Sequence, residues 1–359
     1  MRVVGVVGGV AVLLVVLWDA FETIVLPRRV RRRVRLTRSF YRLTWIPWRA
    51  LGRRLRPGNF RQNLLSVYGP LSLLFLLATW ALLLIVAFAL IQWGGGDELN
   101  VPAGVHGFAA DLYYSGTTIF TVGLGDVAPR STAARILTVL EGGTGLGFLA
   151  LILGYLPLLA QAFSRREANI SLLDARAGSP PSAVELLKRH SGPDAYDALE
   201  RLLAEWERWS ADLLETQISF PALMYYRSQH DNQSWISALT TILDTCALIM
   251  AGVDHAPTRA ARLTFAIARH ASVDLCNVFR RPPALPAADR LPPSAVAQLR
   301  EVLAGVGLRL RDGPEIEQKL HRLRRMYEPY LGALAEFLLM PLPSWLPDER
   351  AADNWERMQ

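Results

Sequence analysis

The sequence predicts an all-α membrane protein with two parts, a transmembrane helical domain followed by a cytoplasmic all-helical domain. Long apolar runs are concentrated before residue 164, whereas the rest of the 359-residue chain is charged. Thirteen arginines lie between Arg28 and Arg61, and a cluster of this kind beside apolar runs marks the cytoplasmic side of a membrane. Signals for helix starts and breaks recur after residue 164 without an alternating strand pattern.

The first apolar run predicts an N-terminal transmembrane helix within residues 1–27. It is long enough to cross a hydrocarbon core of about 30 Å. A cleaved signal peptide is the competing interpretation, but the positive charge follows the run and the run is too long. Asp19 and Glu22 lie near its inner end. We expect them to meet arginines such as Arg28 or Arg29 there, although an acid inside a membrane also suggests a functional site.

Residues 28–63 predict a basic interfacial linker that includes one or two helices. Its arginines are expected to bind anionic lipid headgroups, and its tryptophans, Trp45 among them, to lie at the lipid interface. A nucleic-acid partner is the weaker interpretation of this charge, because apolar spans flank it. Arginine at every third position, from Arg29 to Arg38, also resembles a voltage sensor. Arg31 and Arg33 occupy positions that should then be apolar, which disfavours that interpretation.

Two further spans predict a domain over residues 64–163. An outer helix over 64–93 carries no charge, and an inner helix over 136–163 ends before Arg165 and Arg166. Placing the basic flanks inside puts the N-terminus and the loop 94–135 outside, and residues 164–359 in the cytoplasm. The chain is therefore predicted to be a multi-pass protein of a bacterial-type plasma (inner) membrane.

The outer loop contains the segment Thr121-Val122-Gly123-Leu124-Gly125-Asp126. A protein that removes water from a cation must replace the hydration oxygens, and rings of backbone carbonyls do this for potassium. Pointing successive carbonyls at one axis requires alternating backbone conformations, and glycine adopts positive φ without a Cβ penalty. The two glycines are spaced for this. The Thr121 hydroxyl would lie at the inner end, with Val122 and Leu124 turned outward into a supporting wall.

A short helix over residues 107–119 is predicted to support this segment. Irregular backbone at membrane depth is allowed only when it is buried in protein or lines a water-filled path. The carbonyl end of the helix would point inward, where its partial negative charge favours a cation. Tyr113 and Tyr114 on this helix are expected to pack against the segment.

With Tyr113-Tyr114 and Thr117-Thr118 preceding Thr121–Asp126, residues 64–163 resemble the two-transmembrane-helix, pore-loop potassium channel superfamily, here with an extra N-terminal span. The resemblance implies a homotetrameric pore lined by the inner helix, a selectivity filter at 121–126, and Asp126 at its outer mouth. It implies passive conduction of K⁺ with neither a cofactor nor enzymatic activity. Leu124 stands where many relatives have an aromatic residue. Two alternatives therefore stay open, a weakly selective cation channel and a membrane-anchored helical sensor with a non-conducting pore.

The inner helix contains Glu141 and the glycines Gly143, Gly145 and Gly147. A dinucleotide fingerprint is rejected, because that motif follows a strand and opens a helix. Gly143 and Gly147 are spaced for close approach of a neighbouring helix, and the resemblance matches Gly145 to a gating hinge. Glu141 is expected near the inner end of the filter or against a pore-helix group. It would be either a buried, hydrogen-bonded acid or a cation site in the cavity.

The region 164–359 is predicted to form a helical domain with helix starts at Ser182, Pro193, Ser234 and Pro257. Breaks are expected at Ser179-Pro180-Pro181 and Pro282-Pro283. The apolar stretch from Trp235 to Val253 could be a fourth span. A buried helix of a folded domain is the favoured interpretation, because Asp244 lies at its centre.

The same region contains two clusters that suggest a ligand or metal site, Arg227–Trp235 and the pair His270 and Asp274. A helix cap with ordinary surface polar groups is the alternative, since scattered ligands are a weak metal signal. No nucleophile–base pair or compact metal cluster is evident, so K⁺ is the one ion expected, and the sequence names no cytoplasmic ligand. The two cysteines, Cys246 and Cys276, are expected to be free thiols.

Overall fold

The computed structural model describes residues 2–26, 35–56, 58–96, 99–101, 107–192, 195–230, 232–286 and 288–347. The chain divides into two compact units. The first comprises Met1–Trp48 and Pro70–Ala160, and the second comprises Arg49–Gly69 and Gln161–Gln359.

The first unit is built from helices and one short strand pair. Its helices, three of which continue into the second unit, are α1 (Arg2–Ala20), α2 (Leu36–Arg54), α3 (Asn59–Gly95), α4 (Phe108–Ile119) and α5 (Thr132–Ala177), and a π-helical turn (Phe21–Val25) extends α1. Strands β1 (Leu99–Asn100) and β2 (Ala128–Pro129) pair antiparallel, with Leu99 opposite Pro129. This pair connects the two ends of the outer loop.

Three of these helices have the length and composition of membrane spans: α1 with its π-turn, α3, and α5. In their most apolar windows, 28%, 50% and 22% of residues are buried within the protein. Much of their apolar surface is therefore available to lipid or to neighbouring copies. The three predicted spans are confirmed as long apolar helices.

Helix α5 is longer than the predicted inner helix. It begins at Thr132 rather than residue 136 and continues past residue 163 to Ala177. Ser164, Arg165 and Arg166 were interpreted as the end of the span, but the charge of the two arginines does not interrupt helical hydrogen bonding. The helix ends instead at Gly178, which has φ of +84° and donates its N–H to the Asp174 carbonyl at 2.8 Å. A glycine in this left-handed conformation is a common helix terminator.

The acids at the end of the first span are buried and hydrogen-bonded. Asp19 Oδ2 accepts bonds from the Thr37 N–H at 3.0 Å and from Trp80 Nε1 at 3.1 Å. Glu22 pairs with Arg35 at 3.4 Å and accepts a bond from an indole N–H. An arginine partner was predicted for these acids. Arg28 and Arg29 lie outside the described residues, and Arg35 takes that place for Glu22.

Helix α2 confirms a helix within the basic linker, but one aromatic residue differs from expectation. Tyr41 and Trp45 are buried, four residues apart on one face, whereas Leu43 and Ile46 are exposed. We expected Trp45 at the lipid interface. It is buried instead, and it lies on the same helix face as Thr37, whose N–H bonds to Asp19.

The second unit is a helical bundle around one apolar helix. Its helices are α6 (Ala183–Arg189), α7 (Ala195–Ser219), a 3₁₀ turn (Pro221–Tyr225), α8 (Trp235–Gly252), α9 (Thr258–Val278), α10 (Pro293–Gly305), α11 (Pro314–Arg325) and α12 (Glu328–Leu338). Helix α8 packs against α6, α7, α9, α11 and α12. An isolated antiparallel bridge joins Val253 and Leu310.

Three predicted helix starts in this unit are confirmed. The hydroxyl of Ser182 accepts the Glu185 N–H at 3.1 Å, and the hydroxyl of Ser234 accepts the Ser237 N–H at 3.0 Å. Each serine satisfies one of the unpaired N–H groups of a first helical turn. The residue before α9 is Pro257. Pro193 lies outside the described residues.

Helix α8 would be apolar enough to cross a membrane, but its most apolar window is 89% buried inside the protein. Asp244, at its centre, is fully buried and pairs with Arg290 at 2.5 Å. Tyr327 also donates its hydroxyl to Asp244, at 2.5 Å, and Arg290 also pairs with Glu328 at 3.0 Å. These contacts show that α8 is the core helix of a bundle rather than a fourth span.

Removing the cation from this buried group should strongly destabilise the second unit. We expect Arg290→Leu to lower the free energy of unfolding by about 3–5 kcal/mol, because it leaves the Asp244 carboxylate buried without a cation. Hydrogen exchange of the α8 amides in the full chain would measure the loss. The control, Arg300→Leu, removes partly exposed ion pairs with Asp312 and Glu317 and should cost no more than about 1 kcal/mol. Equal losses in the two variants would contradict this assignment.

Candidate functional site

Helix α4, the predicted pore helix, is fixed on two sides. Its buried Tyr114 packs in an apolar cluster with Leu99 and Val127, which come from the two ends of the outer loop. The Tyr114 hydroxyl shares a 2.6 Å hydrogen bond with the Thr138 hydroxyl on α5. The strand pair and α5 therefore set the position of α4.

The carboxyl end of α4 bonds to the start of the filter segment, residues 121–126. The N–H of Thr121 donates to the Thr118 carbonyl at 3.0 Å, and the N–H of Val122 donates to the Thr117 carbonyl at 2.8 Å. Gly123 donates to that same Thr117 carbonyl at 3.3 Å. These bonds satisfy helix-end carbonyls and turn the chain sharply into the filter segment.

The backbone of the filter segment alternates in conformation. Thr121 has φ of 55°, Gly123 has φ of 55° and Gly125 has φ of 80°, whereas Val122 and Leu124 do not have positive φ. Alternation of this kind brings carbonyls of successive residues to one side of the chain. Positive φ was predicted for some positions and attributed to the two glycines. Its occurrence at Thr121, a residue with a Cβ, was not foreseen, and such strained residues are concentrated at functional sites.

The side chains of the filter segment are exposed in the single subunit. Val122 is 57% exposed and Leu124 is 65% exposed. We expected both to be directed into a supporting wall. The described part of the subunit does not bury them, so no such wall is formed by the described residues of a single chain.

A pore-helix tyrosine secures the outer end of the segment. Tyr113 donates its hydroxyl to Asp126 Oδ2 at 2.9 Å, and the other carboxylate oxygen of Asp126 accepts the Val127 N–H at 3.0 Å. Leu124 has no hydroxyl for a bond to the pore helix. A side-chain link between helix and filter segment therefore runs through Tyr113 and Asp126, in addition to the backbone bonds at the inner end. The sequence signal for it was a tyrosine on the pore helix and an acid directly after the second filter glycine.

Glu141, on α5, lies behind the pore helix. Its side chain has no exposed surface, and it faces the buried side chains of Ser115 on α4 and Gln92 on α3. Neither pair reaches hydrogen-bond geometry, and both carboxylate oxygens are without a partner among the described residues. Of the two expected positions, the one against a pore-helix group is therefore found. The subunit alone buries this carboxylate, which favours the buried acid, but the hydrogen bonds predicted for that acid are not formed within the described residues. The cation site in the cavity stays a prediction.

The three glycines of α5 have different surroundings. A Cβ at Gly145 would collide with the backbone carbonyl of Ile119, at the end of α4. A Cβ at Gly143 or Gly147 would meet no atom within 4 Å. Gly145 thus lets α5 approach the pore helix closely, and α5 is continuous through it. The other two glycines lie on a face that the single subunit leaves open.

The remaining candidate residues are in the second unit. His270 pairs with Asp274 at 3.1 Å on adjacent turns of α9. Within the described part of the chain, no group of three potential metal ligands comes together. Asp231, from the polar cluster 227–235, lies outside the described residues, and Ser234 caps α8 as the alternative interpretation predicted. Residues 227–230 and 232–234 of this cluster line a polar cavity.

Comparison with known proteins agrees with the geometry of the first unit. Residues 71–159 match a family model described as "Ion channel". The chain is also 24% identical, over 196 residues, to the uncharacterized membrane protein YdjJ of Bacillus subtilis (strain 168). That match covers 53% of this chain and 56% of the relative, so the chain spans about half the length of the relative. No solved structure matches the chain. The segment 71–159, which contains the pore helix, the filter segment and most of the apolar part of α5, therefore belongs to the two-transmembrane pore-loop ion channel family.

Proposed function

We propose that four copies of this chain form a potassium-selective channel that conducts K⁺ passively. The alternation of positive φ at residues 121, 123 and 125 is the observation that carries the proposal. It gives one chain a row of carbonyls on one side, and a ring of such rows replaces the hydration shell of K⁺. The end of α4 adds the negative pole of a helix dipole beneath this row.

Two features of the single subunit support a fourfold assembly. The filter side chains Val122 and Leu124 are exposed, and irregular backbone at membrane depth needs surrounding protein or water. One face of α5 is also open and apolar, with Val139 and Leu140 exposed beside Gly143. A neighbouring helix could approach closely there. One row of carbonyls surrounds only part of an ion, so neighbouring copies would complete both the filter and the apolar contact.

The proposed orientation follows from the charges. The basic segment Arg28–Arg61 would lie on the inner side, on anionic headgroups of a plasma (inner) membrane. The pair Arg165-Arg166 would lie on the same side, where Arg166 is buried and pairs with Glu167. The filter segment then lies on the outer side, and the second unit in the cytoplasm. In this arrangement α5 lines the pore and continues without a break toward the second unit.

Flux from liposomes tests the proposal. The full chain, reconstituted with a K⁺ gradient, should pass K⁺, be blocked by barium and run as a tetramer after crosslinking. Reversal potentials in mixed solutions should favour K⁺ over Na⁺. Equal permeability would instead support a weakly selective cation channel, for which the missing hydroxyl at Leu124 is the specific reason. A monomer or dimer without flux would support a membrane-anchored sensor with a non-conducting pore.

A further inference from the structure

The second unit contains a cavity of about 780 Å³ that no part of the conduction proposal uses. It lies between the first turns of α3, the loop residues 227–230 and 232–234, and the segment 340–344. Side-chain amides and hydroxyls form most of its lining, together with Arg227 and His230, and none of its described lining residues carries a carboxylate. Its volume falls in the range of sites that bind small molecules, about 300–1,000 Å³.

Arg227 is a largely buried cation whose partners are all uncharged. It donates to Gln62 Oε1 at 2.6 Å and to the carbonyls of Leu338 and Leu339 at 3.0 and 2.8 Å. These carbonyls, at the end of α12, supply only the partial charge of a helix terminus. Burial, followed by the charge of Arg61, lowers the pKa of Arg227 to about 10. Buried charges are usually paired with an opposite charge, and among the described residues Arg227 has no such partner.

Two helices direct their amino ends toward the cavity. Asn59 begins α3, and Ser234 caps α8, and both residues line the cavity. Amino ends of helices carry partial positive charge and bind anions. Polar atoms at the cavity are also without partners. Gln233 Oε1 and Nε2 and the Ser228 hydroxyl are buried and make no hydrogen bond to described residues. A ligand with several acceptor oxygens would satisfy Gln233 Nε2 and the Ser228 hydroxyl, and a hydroxyl or amino group of the ligand would satisfy Gln233 Oε1.

We propose that this cavity binds a small phosphate-bearing ligand, with Arg227 as its counter-charge and with Asn63, Ser228 and Gln233 bonding its oxygens. A phosphate group presents several acceptor oxygens, which suits a planar guanidinium surrounded by amides, hydroxyls and two helix amino ends. The volume has room for a nucleotide-sized molecule as well as for the phosphate group. Since Arg227 bonds to Gln62 on α3, the occupied site would also contact the helix that continues into the outer span.

Binding to the full chain tests this site with three probes. Inorganic pyrophosphate and ATP represent soluble ligands and would be titrated by calorimetry on the protein in detergent. Nanodiscs of phosphatidylglycerol, compared with nanodiscs of phosphatidylcholine, represent a lipid headgroup, with thermal stability as the measurement. Asn63→Asp adds a negative charge to the cavity at an exposed position without a change of shape, and we expect it to raise the dissociation constant at least about tenfold.

Two further variants complete the experiment. Arg227→Gln should abolish binding. If Arg227→Gln does not fold, Asn63→Asp still tests whether binding depends on the charge of the cavity. Asn277→Asp makes the same charge change at an exposed residue outside the cavity and should leave binding unaltered. Binding of a soluble probe that Asn63→Asp weakens would support a soluble ligand. Stabilisation by phosphatidylglycerol alone, lost in the same variant, would support a headgroup. The proposal is overturned if no probe binds or if Asn63→Asp and Asn277→Asp behave alike.

Discussion

Replacing Gly123 by alanine is expected to abolish K⁺ flux through reconstituted protein while the chain still folds and assembles. Gly123 has φ of 55°, and an L-residue with a Cβ loses about 1–2 kcal/mol in this region. The loss occurs in every subunit, so it would total about 4–8 kcal/mol in the proposed assembly of four. Rotation of the peptide to negative φ relieves this strain, but it also turns a carbonyl away from the axis. A filter without one ring of oxygens no longer replaces the hydration shell.

The measurement is K⁺ efflux from liposomes, with crosslinking to show the oligomeric state. Gly8→Ala is the matched control, because Gly8 lies within α1, lacks positive φ and has no atom within 4 Å of an added Cβ. It should conduct as the unaltered chain does. Full flux through Gly123→Ala, at equal protein content, would show that ions do not depend on the backbone at this residue.

Local signals in the sequence predicted much of the fold. A serine before an apolar periodic stretch correctly placed the starts of α6 and α8, since Ser182 and Ser234 both cap their helices through bonds three residues away. The spacing of Gly123 and Gly125 likewise predicted positive φ in the filter segment. In each case the signal and the structure that it specifies lie within a few residues of each other. Local sequence is therefore enough to predict them.

Contacts between distant residues were beyond this reasoning. The partner of Asp19 in the first unit, Trp80, is 61 residues away, and Tyr327 is 83 residues from Asp244. A single sequence shows that burying each acid costs free energy. It does not show which distant residue provides the hydrogen bond or ion pair that offsets this cost. The cavity around Arg227 likewise depends on contacts between distant residues, because Arg227 bonds to carbonyls more than 100 positions further along the chain. Only the folded bundle brings these groups together.

The positive φ of Thr121 was unpredictable for a related reason. Threonine is unfavourable in the left-handed region, so composition argues against the observed conformation. The conformation is imposed by neighbouring bonds, in which the N–H groups of Thr121 and Val122 bond to the last turn of α4. The end of α4 fixes the backbone before Thr121, and the two glycines set the conformation of the backbone after it. Thr121 therefore takes the left-handed conformation that connects the two.

The role of Gly145 leads to the second large effect, because the packing found for it differs from the hinge that the family resemblance implies. An added Cβ would collide with the Ile119 carbonyl, which is backbone and cannot rotate away as a side chain would. Gly145→Ala should therefore push α5 away from α4. We expect a loss of about 1–3 kcal/mol in each subunit, as for other overpacked cores, and a reduced yield of assembled, conducting protein.

Thermal unfolding of the full chain in detergent, together with crosslinking and flux, separates packing from hinge motion. A hinge residue changed to alanine would leave stability and assembly intact and alter only the fraction of open channels. Close packing predicts that stability and assembly fall first and that flux falls with them. Gly154→Ala is the control in the same helix, because an added Cβ there meets no atom within 4 Å. Normal stability of Gly145→Ala with altered gating would contradict close packing and support the hinge, since the Ile119 carbonyl would then be able to move away from the added Cβ.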